Sequence, residues 1–221
     1  MATLVQVSEL SLFHENSEPI LRDLSFSVEE GKIAILNGLN RTAQAALLKI
    51  LIGELRPDRG QILMVGRNIV RIDQKTALQM RRKEIGVIPR NFRPPNRTVR
   101  DALQFKMNCL GTPYETGTKI EEALEDTDLE TQAETPAGEL LILDQIRLSL
   151  ALAIVNRPSL VICDDLFNSV SDEVQRGVIS LLKNLVQRRE ITFLLISKQA
   201  VDDEEPFTTI NLENGSERID I

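Results

Sequence analysis

Four short apolar runs decide what this chain can fold into: IAIL at 33–36, IGVI at 85–88, LVIC at 160–163 and TFLLIS at 192–197. Each is short and continuous rather than alternating, the pattern of a strand buried on both faces. Between them lie stretches with apolar residues at helical spacing. TAQAALLKILIG at 42–53 is rich in helix formers and stops at Gly53, residues 74–84 look helical, and Val174, Val178, Leu181, Leu182 and Leu185 share one face of 172–187. Strands alternating with helices predict an α/β fold with a mostly parallel sheet. The beginning differs: Leu4, Val5 and Val7, then Leu24, Phe26 and Val28, alternate with polar residues on either side of HENSEP at 14–19. That pattern predicts two antiparallel strands and a turn. RPDRGQILMVGRNI at 56–69 predicts one more strand, and FTTINLENGSERID at 207–220 a terminal hairpin around Asn214-Gly215.

Strand patterning stops at Pro89. PRNFRPPNRTV is a proline-interrupted connection, 99–110 and 118–127 can be helices, and 140–155 is a nearly all-apolar helix. One domain over 1–221 is therefore expected, with an α/β core at 1–88 and 156–221 and a helical subdomain at 89–155. The apolar helix is interrupted by Asp144, Gln145 and Arg147 and is shorter than the ~20 residues a bilayer requires. The chain is thus not expected to cross a membrane, and MATLVQVSEL shows no secretory signal.

Charge and reactive residues narrow the function. The 221 residues carry 33 acids and 26 bases, a net charge of −7 that argues against a nucleic-acid partner. Cys109 and Cys163 form neither a metal cluster nor a disulfide framework, and Cys163 reads as a small buried hydrophobe. His14 is the single histidine, which disfavours a histidine-based metal site.

In order, these pieces resemble the ATP-binding subunits of ABC transporters over nearly the whole chain. The fold so implied is a P-loop NTPase-like ABC ATPase core, a mixed and mostly parallel sheet with an N-terminal antiparallel part, plus the inserted α-helical subdomain. ILRDLSFSVEEGK, LLKILIGELRPDRGQILMVGRNI and ALAIVNRPSLVICDD carry the likeness, and RRKEIGVIPRNFRPPNRTVRDAL is most similar to the FtsE, LolD and MacB-like group. The scaffold matches better than the chemistry. In the family a glycine-rich loop, a lysine and a hydroxyl residue hold the phosphates and magnesium of ATP. Here Gly38 remains, but Arg41 and Ala43 stand at later glycines, Gln44 at the lysine, and Ala45 and Ala46 at the hydroxyls. Arg90 aligns with the Q-loop glutamine, and Leu140 to Gln145 with the signature motif. Asp164 keeps the magnesium position, whereas Asp165 replaces the catalytic glutamate with a side chain one methylene shorter. Ser171 stands at the D-loop aspartate and Lys198 at the switch histidine.

The resemblance therefore implies a pseudo-ATPase with Asp164 and Asp165 vestigial, and without the ATP and magnesium of active members. Because each ABC site joins one chain's phosphate loop to the other's signature motif, pairing with an intact subunit would complete neither site. The resemblance further implies a cytoplasmic subunit at the inner face of the membrane, bound to an FtsX-like or related multi-span partner, with a homodimer or a heterodimer with another ABC ATPase also open. Arg90, Phe92, Arg93, Pro94, Pro95, Asn96 and Arg97, basic and aromatic around a rigid diproline, are expected to receive an acidic or amphipathic helix of that partner. Two alternatives remain: an ATPase with an unconventional site using Asp164, Asp165 and Arg41, and a soluble adaptor that retains only the fold.

Overall fold

The computed structural model describes residues 2–13, 19–111, 115–197, 207–213 and 216–218. His14, Lys198 and the Asn214-Gly215 turn lie outside them.

The four apolar runs sit side by side in one sheet. Its order is β10-β9-β3-β8-β7-β6, with β3 at Ile33–Asn37, β6 at Ile85–Ile88, β7 at Leu160–Asp164, β8 at Thr192–Ile196, β9 at Phe207–Glu213 and β10 at Ser216–Arg218. Strands β6, β7, β8, β3 and β9 pair in parallel, and β10 closes the edge antiparallel to β9. The last two strands form the expected hairpin, and β9 is also a parallel neighbour of β3.

Continuous apolar strands are explained by what covers them. Ala34, Leu36, Ile162, Leu194 and Ile196 point into one hydrophobic cluster, and Ile33, Ile35, Val161, Cys163, Phe193 and Leu195 into another. The first is roofed by a separate antiparallel sheet of order β2-β1-β4-β5, with β1 at Thr3–Phe13, β2 at Pro19–Glu29, β4 at Arg59–Met64 and β5 at Arg67–Asn68. The single strand expected at 56–69 is thus two, turning at Val65 and Gly66. Helix α1 (Arg41–Leu51) also packs into this cluster, while α5 (Ile142–Ile154) and α6 (Asp172–Arg189) cover the other face. A Cβ at Gly86 would lie 2.5 Å from the Ala153 carbonyl oxygen, so glycine lets β6 approach α5 closely.

Residues after Pro89 build a third cluster. Helices α3 (Val99–Leu110) and α4 (Thr116–Asp126) pack with the buried side of α5 around Leu103, Met107, Leu124 and Leu148. The expected long helix at 140–155 starts later, at Ile142, after a 3-10 turn at Ala137–Glu139. Helix α2 (Gln74–Lys83) leads into β6, as the periodicity predicts.

Candidate functional site

Parallel strands bring their carboxyl ends to one edge, where open α/β sheets place their sites. Ile88 on β6 is in register with Cys163 on β7, and Asp164 with Ile196 on β8. Arg90 follows Ile88 by two residues, just as Asp165 follows Cys163, so the strand register brings the two side by side.

The arginine is turned inward. One terminal nitrogen, Nη2 of Arg90, donates to Oε1 of Gln44 at 2.6 Å and to Oδ1 of Asp164 at 3.3 Å, and lies 3.3 Å from Oδ2 of Asp165. The Arg90 side chain retains only 12% of its exposure, against 16% for Asp164 and 9% for Asp165. The structure therefore corrects the placement of Arg90 in a partner-facing groove: the carboxylate pair at the end of the neighbouring strand draws it under the surface. Gln44 is fully buried on α1. Its Nε2 and the Nε of Arg90 are buried without hydrogen-bond partners, while Nη2 faces the three converging oxygens.

The carboxylates are held from behind. Asp165 follows β7 in the left-handed region, with φ 54°, while its amide donates to the Ile196 carbonyl at 2.8 Å. Its Oδ1 accepts from Ser197 Oγ at 3.5 Å. Burial pushes the Asp164 carboxyl above its ordinary range, against the pull of Arg90 and, more weakly, of Arg41. Two acids and one guanidinium leave the cluster with surplus negative charge, which Arg41, exposed on the first turn of α1, partly offsets.

The turn from β3 to α1 is short. Gly38 has φ +90°, and a Cβ there would approach the Leu212 backbone to 3.1 Å, so glycine is needed at this position. Asn40 caps α1, its side chain accepting from the Ala43 amide at 3.0 Å, and the Gln44 amide bonds to the Asn40 carbonyl at 2.9 Å. Residues 41–46, aligned with the later phosphate loop, are therefore helix: Arg, Thr, Ala and Gln favour helical backbone where glycines would leave it open. Ala43 and Ala46 are buried and Ala45 exposed, so positions 45 and 46 offer methyl groups and no metal ligand. A divalent cation held by Gln44, Asp164 and Asp165 would have to occupy the point where Nη2 stands. As arranged, Gln44, Asp164 and Asp165 do not fit a magnesium ion, because their converging oxygens face the guanidinium.

The rest of the expected partner segment faces other ways. Phe92 packs on the helical cluster, Arg93 and Asn96 are exposed, and Pro94 and Pro95 are half-buried. The Arg97 guanidinium lies 4.2 Å from the centre of the Phe105 ring, itself 54% exposed. Phe105 was not singled out by sequence reasoning; its signal was an aromatic on the polar side of α3. In the stretch aligned with the signature motif, Leu140 is buried, but Leu141 and Ile142 are 77% and 58% exposed at a helix start with no side-chain cap. Ser171 caps α6 through the Val174 amide at 3.4 Å.

Comparison with known proteins agrees with this architecture. The profile of the family described as ABC transporter matches residues 21–168. The ABC transporter ATP-binding protein YtrE of Bacillus subtilis is 30% identical over 192 residues, 86% of this chain and 82% of that protein. The cell division ATP-binding protein FtsE of Haemophilus influenzae is 25% identical over 216 residues, 96% of this chain and 98% of that protein. In three dimensions the chain is similar to cbiO1 of Clostridium perfringens, part of the ABC transporter complex cbiONQ. The TM-score is 0.89 at 17% identity, covering 99% of this chain and 88% of that one. The chain belongs to the ABC transporter ATP-binding family.

Proposed function

We propose that this ABC transporter family member is a catalytically silent, FtsE-like subunit, acting as a structural or regulatory partner of a permease-like membrane protein. The insertion of Arg90 among Gln44, Asp164 and Asp165 carries the reading. Phosphoryl transfer depends on placed cations and donors, and loss of one such donor costs on the order of 10²–10³ in rate. In this chain the lysine and hydroxyl positions hold Gln44, Ala45 and Ala46, and the carboxylates already face one internal guanidinium. A tethered guanidinium holds the strand ends together without nucleotide.

ABC ATP-binding subunits work with membrane permeases, and no helix among the described residues is long and apolar enough to cross a membrane. The outward part of the segment after β6, Arg93 to Arg97 with Phe105, supplies a cationic and aromatic docking surface beside the plugged site. Calorimetric titration of the purified protein with Mg-ATP tests the proposal. No resolvable heat up to millimolar nucleotide is expected; saturable micromolar binding would defeat it in favour of an unconventional ATPase.

A further inference from the structure

Helix α2 contains three basic residues in its last turn, Arg81, Arg82 and Lys83, Lys75 near its start, and no acid. It buries only Ala77 and Met80. Lys75, Leu78 and Arg82 recur at spacings of three and four, so they form one stripe, and all three are exposed, Leu78 at 40%. Gln79 and Lys83 widen the same outward face.

The acids flanking this helix are already engaged. Asp73 caps it, accepting from the Thr76 amide and hydroxyl at 2.9 Å each, and Glu84 accepts from Arg67 at 2.6 Å. Arg81 is also engaged, donating to the Ile52 carbonyl at 2.8 Å, which pins the helix to the end of α1. Lys75, Arg82 and Lys83 have no ion pair among the described residues, whereas Arg67, Arg90, Arg100, Arg147, Arg157 and Arg189 all have one. In a chain of net charge −7, α2 thus sets three cations without an ion pair around one exposed leucine.

We propose that the outward face of α2 is a contact surface for anionic lipid headgroups. The cations match headgroup phosphates, and Leu78 between Lys75 and Arg82 gives the stripe the apolar centre and charged flanks of an interfacial helix. This inference rests on the reading that the subunit works beside a membrane. Each cation close to an anionic bilayer strengthens binding roughly fivefold, so three supply on the order of a hundredfold, enough to orient a subunit held elsewhere by a protein partner.

The test uses the full chain in a flotation assay, with vesicles of phosphatidylcholine alone or containing phosphatidylglycerol as the anionic component, and with neither nucleotide nor permease. Recovery on anionic vesicles should exceed that on neutral ones severalfold and fall to the neutral level at high salt. The combined variant Lys75→Glu, Arg82→Glu, Lys83→Glu should lose the difference, and Leu78→Ala should weaken it. Should the charge reversal lower the melting temperature, Lys75→Gln, Arg82→Gln, Lys83→Gln provides the same readout. Equal recovery on both vesicle types, binding unchanged in the variants, or binding to polyglutamate or duplex DNA instead of vesicles would overturn the proposal. Because the assay contains no nucleotide, its failure would leave the catalytically silent reading standing, and Mg-ATP binding would leave the lipid surface standing.

Discussion

Two ionic clusters in this molecule contain nearly the same groups in very different settings. At the strand ends, Arg90 lies between Asp164 and Asp165 with little exposure. On the far side of α4, Arg189 bonds Asp126 at 2.7 Å and approaches Glu122 at 3.3 Å, while Arg157 bonds Glu122 at 2.6 Å. The second cluster lines an open cleft of about 460 Å³ between α4 and the end of α6, and its arginines remain 31% and 48% exposed, although Asp126 keeps only 8%. Burial of the cation sets the consequence: water reaches Arg157 and Arg189 and competes for their charge, whereas Arg90 is itself enclosed.

The largest effect is expected from Arg90→Ala. It leaves the buried Asp165 and the partly buried Asp164 without their cation, at a cost of about 3 kcal/mol. Chemical denaturation measures this, and a loss below about 1 kcal/mol would show that water enters the strand ends as freely as the outer cleft. Arg189→Ala should cost less, about 1–2 kcal/mol, because it uncovers the nearly buried Asp126, and part of the difference from the parent should fade in molar salt, where the screening length is about 3 Å. A salt-insensitive loss of several kcal/mol would erase the contrast.

The smallest effect is one of sign with pH. The Glu122 carboxyl is held below its ordinary value of 4.5, chiefly by hydrogen bonding to Arg157. Its stabilisation is present above that value and lost as pH falls through the lowered one, because the unfolded chain protonates first. Asp164 is raised above 3.8 by burial, so the folded form takes up the proton first and its unfavourable contribution is relieved as pH falls through the raised value. Stability measured from neutral pH into the acid range for Glu122→Gln and Asp164→Asn, each against the parent, should give differences of opposite slope. Parallel slopes would mean that both carboxylates feel the same surroundings.

Much of the framework was legible in the chain. IAIL, IGVI, LVIC and TFLLI became adjacent strands because a run without polar residues must be covered on both faces. The single histidine and Lys198 lie outside the described residues, so that part of the reading has no structural counterpart. The site was legible only in part. Gln44, Ala45, Ala46, Asp164 and Asp165 could be named from alignment with the family motifs, yet Arg90, aligned with the Q-loop glutamine, was assigned to the partner-facing groove. Its partners lie 46 and 74 positions away along the chain, and nothing local in VIPRNF says which strand will stand beside it. Leu141 and Ile142 show the same limit, since an apolar stretch fits a buried helix equally well until the position of its first turn is known.

The amino-acid sequence alone determined the kinds of element, their order and the chemical groups available, because backbone preference and hydrophobic period act over a few residues. Tertiary structure decided which groups meet. The parallel register of β6 and β7 set a cation against two acids, and the exclusion of water there turned a surface arginine into an internal counter-ion. Long-range pairing and solvent exclusion depend on the whole fold, and no short stretch of residues encodes them.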